Sequence, residues 1–171
     1  MSEFDNINSK TMKNSSKTKI INVLLADDDS DARFFFSKAI ESSTIATELT
    51  TIHNGHSLLE NLLNADIALP DVIFLDFNMP GKNGLDCMLE LKTHSRLSKI
   101  PVIIYTTLLH VEVLDVIYGE GAHYYLEKTG LAELKTILNS MLNLMMDEKF
   151  ERPTREHFIM NNIKNDLVIL N

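Results

Sequence analysis

The chain holds a single cysteine, Cys87, so it can form no internal disulfide and no cysteine-based zinc cluster. That usage fits a reducing cytoplasm. No apolar run approaches the roughly 18 residues that a membrane span needs. The run at 20–26 stops at three aspartates, with no small-residue cleavage site behind it, which argues against a secretory signal. Positive charge is scarce: 16 Lys and Arg face 24 Asp and Glu, a net −8 at pH 7. Bulk charge therefore does not grip a phosphate backbone, although an acidic cation site stays open. No G-x-G-x-x-G follows the first apolar run, which disfavours a dinucleotide-binding domain. His53, His56, His94, His110, His123 and His157 are scattered without metal-ligand spacing and read as surface or packing residues.

What is present is an ordinary globular mixture, 44% hydrophobic and 23% charged over 171 residues, enough for one domain with a little left over. Residues 1–19 are rich in Ser, Asn, Thr and Lys and carry a net +2, which leaves −10 for the rest. Such a stretch cannot bury enough apolar area to order itself, and it reads as a flexible polar tail. From residue 20 to 149, short apolar runs alternate with helical periodicity. Strands are expected at 20–26, 48–53, 72–76, 102–106 and 124–127. Helices are expected at 31–43 with Ser30 as N-cap, 55–64 with Leu58, Leu59, Leu62 and Leu63 inward, 83–93, 111–118 and 131–146. Strands apolar on both faces imply a sheet covered on both sides, and alternation with helices implies parallel, right-handed βαβ units. The fold class is α/β, a five-stranded parallel sheet in three layers. Residues 150–171 are too few for a second domain.

Ligands of an open parallel sheet sit beyond the carboxyl ends of its strands. Asp27, Asp28 and Asp29 stand there after the first strand, and Asp76, Phe77, Asn78, Met79 and Pro80 after the third. Thr106 and Thr107 end the fourth, and Lys128 follows the fifth. Any one of these has an ordinary explanation as a cap, a strand residue or a solvated lysine. Together they require coincidence at one edge four times over. Crowded carboxylates repel one another, and a hard divalent cation with oxygen ligands, Mg²⁺ or Mn²⁺, relieves that repulsion. Asp76, ending an apolar central strand, is the best-placed nucleophile, and a carboxylate that attacks a phosphoryl group becomes an aspartyl-phosphate. Such transfer depends on positioning and charge neutralisation. Lys128 supplies a counter-charge, and the Thr106 hydroxyl a hydrogen bond.

The segments LLADDDSD, VIFLDFNMPGKNGLD, IPVIIYTTL and GAHYYLEK, in that order and spacing, resemble the receiver domain of the response regulators of bacterial two-component signalling, over about three quarters of the chain. The resemblance implies the flavodoxin-like, doubly wound strand order 2-1-3-4-5. It implies Asp76 as the phosphoacceptor, and Asp27 and Asp28 as the acid pair, Asp28 binding Mg²⁺ directly and Asp27 through water. Asn78 would offer its backbone carbonyl to the metal, Thr106 would be the switch hydroxyl, and Lys128 would contact the phosphate. Tyr125 matches the aromatic that turns inward on activation, and Pro80 and Gly84 shape the loop after the acceptor. The implied partners are a sensor histidine kinase or histidine phosphotransfer protein and a downstream protein, in the cytoplasm.

Two positions depart from the family's pattern. A proline joined by a cis bond usually follows the lysine, whereas Thr129 stands here, and a cis bond before a non-proline residue costs about 2.5–4 kcal/mol. Thr107 replaces a usually small residue and is expected to narrow access to the phosphoryl group. The residues after the receiver hold no helix-turn-helix and no basic recognition stripe, so the output is expected through protein contacts or a phosphoryl relay, without nucleic acid or membrane. The last helix carries a stripe at Leu131, Leu134, Leu138, Met141 and Met145, widened by Ile137, Leu142, Leu144 and Met146. Either the C-terminal segment covers the excess, or the fourth and fifth helices form a dimer or partner face. The strand-like run at 166–170 is expected to fold back on the domain or on a neighbouring chain. Two rivals stand beside the receiver: a degenerate receiver that binds partners without phosphorylation, and a haloacid-dehalogenase-like phosphatase. The second wants an aspartate two residues after the nucleophile, where this chain has Asn78.

Overall fold

The computed structural model describes residues 19–160. The expectations for residues 1–18 and for the run at 166–170 lie outside them. Five strands, β1 (Ile21–Ala26), β2 (Thr47–Ile52), β3 (Val72–Leu75), β4 (Val102–Thr106) and β5 (Tyr124–Glu127), alternate with α1 (Ser30–Glu41), α2 (Gly55–Leu63), α3 (Gly84–Thr93), α4 (Val111–Gly119) and α5 (Leu131–Met146), and a short 3-10 turn spans Arg155–His157. The strands lie in the order β2-β1-β3-β4-β5, with every paired neighbour parallel. This is the doubly wound, flavodoxin-like arrangement, and its right-handed crossovers place helices on both faces.

β3 and β4 are buried at every residue, as strands between two helical layers must be. On one face, Leu58 and Leu62 of α2, Met88 and Leu91 of α3, and Leu114 and Ile117 of α4 pack with Leu24, Ile73, Leu75 and Ile104 of the sheet. On the other, Phe36 and Ala39 of α1 and Leu134, Ile137, Leu138 and Met141 of α5 pack with Val23, Leu25, Phe74 and Tyr105. Each Leu, Ile, Val, Phe or Met side chain among them taken fully from water contributes about 1.5–3 kcal/mol. Phe36, Phe74 and Tyr105 form an aromatic cluster with ring centroids 4.8–6.4 Å apart. Burial pushes the Cys87 thiol up to about 11, which keeps it protonated and unreactive at neutral pH.

Four expectations are corrected by the structure. The N-cap of α1 is Asp29, one residue before Ser30, because the Asp29 carboxylate accepts hydrogen bonds from the Asp31 and Ala32 amides, 2.8 and 3.4 Å away. An acid there also faces the positive end of the helix dipole. The helix ends at Glu41 because the Ser42 hydroxyl and the Ser43 amide capture the last carbonyls, of Ala39 and Ile40. Leu63 is 45% exposed, so the inner stripe of α2 is Leu58, Leu59 and Leu62. β2 pairs with β1 from Ile21↔Thr47 to Ala26↔Ile52 and so lies one residue earlier than its apolar pattern implies.

Gly84 opens α3 directly beneath the loop that follows β3. A Cβ there would lie 2.3 Å from the Asp76 carbonyl oxygen and 2.8 Å from the Phe77 Cα, both backbone atoms that cannot rotate away. Gly84→Ala is therefore expected to destabilise the protein by about 1–3 kcal/mol. Gly119→Ala, at a position with nothing within 4 Å, is expected to be neutral or stabilising by up to about 1 kcal/mol. Urea unfolding of the two variants side by side checks the contrast.

Candidate functional site

Because the strands run parallel, their carboxyl ends share one edge. The register Ala26↔Leu75, Leu75↔Ile104 and Ile104↔Tyr125 aligns them. Asp27 leaves β1 with its amide bonded to the Ile52 carbonyl, and Asp76 leaves β3 with its amide bonded to the Ala26 carbonyl. The Lys128 amide is bonded to the Thr106 carbonyl. Among the described residues, Asp27, Asp76 and Thr106 are the buried polar side chains, at 0%, 4% and 1% exposure. Asp28 is exposed at the rim.

The Lys128 ammonium stands 2.8 Å from Asp27 Oδ2 and 3.0 Å from Asp76 Oδ2, bridging the two buried carboxylates. The Lys128–Thr129 bond is trans, and Lys128 reaches both acids from it. The second oxygen of each acid accepts a backbone amide: Asp29 donates to Asp27 Oδ1 at 3.0 Å, and Asn78 to Asp76 Oδ1 at 3.2 Å. The Asn78 side-chain amide donates to the Thr106 hydroxyl at 3.3 Å, so Asn78 ties the end of β3 to the end of β4. Asp27, Asp28 and Asp76 each place an oxygen within 4.8 Å of the others.

Burial raises the Asp27 pKa above its ordinary value, and the hydrogen bond and charge of Lys128, with the Asp29 amide, offset this only in part. For Lys128, burial works against the charged form, but the hydrogen bond and charge of Asp27, and then those of Asp76, raise its pKa. Burial and the same two carboxylates hold the Tyr105 phenol up, so it stays protonated beneath the Lys128 ammonium, 5.8 Å from its ring centre. The site therefore has more negative charge than one lysine neutralises. Its donors are all oxygens, which suits a hard cation and the handling of a phosphoryl group.

Tyr125 lies inside, 1% exposed. Its hydroxyl donates to the Thr107 carbonyl at 3.2 Å and accepts from the Leu109 amide at 3.3 Å. The inward position expected on activation is thus the one observed. Thr107 itself is exposed, and its carbonyl joins the Tyr125 contact. Sequence reasoning missed Arg33, whose guanidinium donates to the Asp27 carbonyl at 2.7 Å. The signal was available: a helical side chain leans toward the N-terminus, so a long cation in the first turn of α1 covers the residues before its cap.

Residues 23–139 match the family model described as the response regulator receiver domain. The chain is 34% identical over 106 residues to the DNA-binding transcriptional regulator NtrC of Escherichia coli (strain K12), covering 62% of this chain and 21% of NtrC. The match thus spans about a fifth of that regulator's length. It is 29% identical over 119 residues to response regulator Rcp1 of Synechocystis sp., covering 67% of this chain and 80% of Rcp1. The crystal structure of the Mn(2+)-bound form of Rcp1 shares the fold with a TM-score of 0.67 at 24% identity, over 74% of this chain and 95% of that one. The phosphorylated cyanobacterial phytochrome response regulator RcpA shares it with a TM-score of 0.69 at 24% identity, over 76% and 96%.

The raised pKa of Asp27 has a defined consequence for stability. The folded state holds the proton more tightly than the unfolded chain, so ionised Asp27 costs stability. That cost is absent below the ordinary value of 3.8 and sets in as pH rises through the folded-state pKa. Asp27→Asn is expected to raise the urea midpoint at pH 7.5, and the gain should fade as pH falls toward 3.8. A gain that stays constant with pH would rule out ionisation as its cause.

Proposed function

The chain belongs to the response regulator receiver family, and from that premise we propose that Asp76 accepts a phosphoryl group from a sensor histidine kinase or a histidine phosphotransfer protein. The observation that carries this reading is the meeting of Asp27, Asp28, Asp76, Thr106 and Lys128 at one sheet edge, with Lys128 within 3.0 Å of both buried acids. Asp76 is buried, with Oδ2 accepting from Lys128 and Oδ1 from the Asn78 amide, and one of these carboxylate oxygens is the nucleophile. That oxygen forms the new O–P bond while the P–N bond of the donor phosphohistidine breaks. The bond's electron pair returns to the imidazole, which takes a proton from water.

The charge imbalance and the all-oxygen donor set fit Mg²⁺ or Mn²⁺, which Asp27, Asp28, Asp76 and the Asn78 backbone carbonyl would hold. When bound, the ion supplies positive charge against the phosphoryl oxygens. Lys128 is already drawn to Asp76 and supplies the second positive charge. The Thr106 hydroxyl, now held by the Asn78 amide, is free to exchange that contact for a phosphoryl oxygen. The added charge, roughly −1.5 to −2, then favours the packing in which Thr106 is drawn toward Asp76 and Tyr125 stays inside. Output follows as a population shift at the surface formed by α4 and β5, toward a downstream protein or a further phosphoryl relay. A cytoplasmic setting fits the single, buried, free cysteine.

Incubation with acetyl phosphate and Mg²⁺ is expected to add one phosphoryl group by intact mass. Asp76→Asn or a chelator should abolish the gain, and Lys128→Gln should slow it by at least about tenfold, the loss of one charge-assisted contact. A phosphoryl group that persists in Asp76→Asn, or steady hydrolysis of small phosphoesters, would overturn the assignment.

A further inference from the structure

Residues 150–160 leave α5 and cross the open edge of the sheet. The Tyr125 amide donates to the Phe158 carbonyl at 3.0 Å, and the Met160 amide donates to the Tyr125 carbonyl at 2.9 Å. Together they make a parallel bridge between Tyr125 and Ile159. Phe158 is fully buried, with its ring 5.2 Å from that of Tyr118 on α4. Arg152 stacks over Tyr118 at 4.2 Å and donates to the Tyr118 and Ala122 carbonyls. Arg155 donates to Asp115 of α4 at 2.7 Å. The segment is therefore docked by backbone pairing, a buried aromatic and two arginines, and it lies across β5 and α4.

Tyr125 takes part in both of two separate sets of contacts. Its backbone pairs with this segment. Its hydroxyl bonds Thr107 and Leu109, in the loop that begins immediately after Thr106. β5 is paired with β4 on one side and with this segment on the other, and Phe158 belongs to the same apolar cluster as Tyr125.

We propose that residues 150–160 are an intramolecular strap that holds Tyr125 inward and couples its own docking to phosphorylation at Asp76. This rests on the reading of Asp76 as phosphoacceptor. An undocked strap leaves the edge open and lets the ring swing out, which frees the Thr107–Leu109 loop. A docked strap keeps that loop, and Thr106 with it, in the arrangement that receives the phosphoryl group. Coupling free energies are reciprocal, so whatever the strap does for phosphorylation, phosphorylation does for the strap. A downstream partner of the phosphorylated form therefore meets the α4 and β5 surface with the strap docked as part of it, whereas a partner that needs the bare face selects the unphosphorylated form.

The test uses the full chain and compares wild type with Phe158→Ala, which removes the buried aromatic, and with Arg155→Asp, which removes the Asp115 ion pair and the guanidinium 5.7 Å from the Phe158 ring while leaving the buried side chains in place. Amide hydrogen exchange at Tyr125 and Met160 is followed with and without Mg²⁺ and beryllofluoride, a phosphoryl mimic. Phosphorylation by acetyl phosphate is timed by intact mass. In wild type, the mimic should slow exchange at Met160 by about fivefold or more, the lower end of typical couplings. Both variants should speed exchange at these amides and slow phosphorylation by a similar factor. Arg155→Asp combined with Asp115→Arg should restore both. Variants that lose protection yet phosphorylate at the wild-type rate would overturn the strap while leaving Asp76 as the acceptor. Protection of Met160 that depends on protein concentration would assign the segment to a second copy and overturn its intramolecular role. Wild-type protein that takes up no phosphoryl group would overturn the acceptor reading, and the coupling with it.

Discussion

The structure turns on one electrostatic fact: two carboxylates from neighbouring strands are buried within reach of a single ammonium. Asp27 and Asp76 are almost without solvent, and Lys128 lies within 3.0 Å of both. Burying an unpaired carboxylate is costly, and the Lys128 ammonium offsets part of that cost for both acids. Yet one positive charge does not neutralise two or three negative ones, and the pKa of Asp27 stays raised, chiefly by burial and secondarily by the charge of Asp76, despite the lysine. A group that brings more positive charge, or a reaction that changes the charge on Asp76, is met by a site already out of balance.

That imbalance is useful only because the surrounding framework is stiff. β3 and β4 are buried on both faces, and their ends are joined by the Asn78 to Thr106 hydrogen bond. Beneath them α3 begins so close to the Asp76 backbone that only a glycine fits at position 84. Backbone amides fill the second oxygen of each acid. A charge change on Asp76 therefore has few ways to relax locally. The softest outlet is the loop after Thr106, where Thr107, Leu108 and His110 are exposed and which is pinned by the hydroxyl of Tyr125. Tyr125 is in turn pinned by residues 158–160. Packed elements with two discrete arrangements, rather than continuous deformation, are what carry such a signal.

Much of this was legible from the chain alone. Three elements, β4, β5 and α5, begin and end where period and flanking residues place them, because each pattern is strong and sharply bounded. The strand-end acids, Thr106 and Lys128 were legible because parallel strands send all their carboxyl ends to one side, so topology follows from alternation and the edge follows from topology. Errors fell where a short side chain competes for a helix terminus. Asp29 outcompetes Ser30 as cap because its carboxylate reaches two amides at once, and Leu63 faces water because α2 ends there.

The sequence by itself thus determined the layers, the strand edge and the set of charged groups gathered on it, since these depend on local period and on charge type. Only the tertiary structure decided that Asn78 holds Thr106, that Arg33 reaches back to Asp27, that Tyr125 lies inside and that the segment after α5 pairs with it. Most of these contacts join residues about 18 to 35 apart, in loops and at edges where no periodicity runs. There a side chain's partner is settled by which donors and acceptors the packed core leaves within reach.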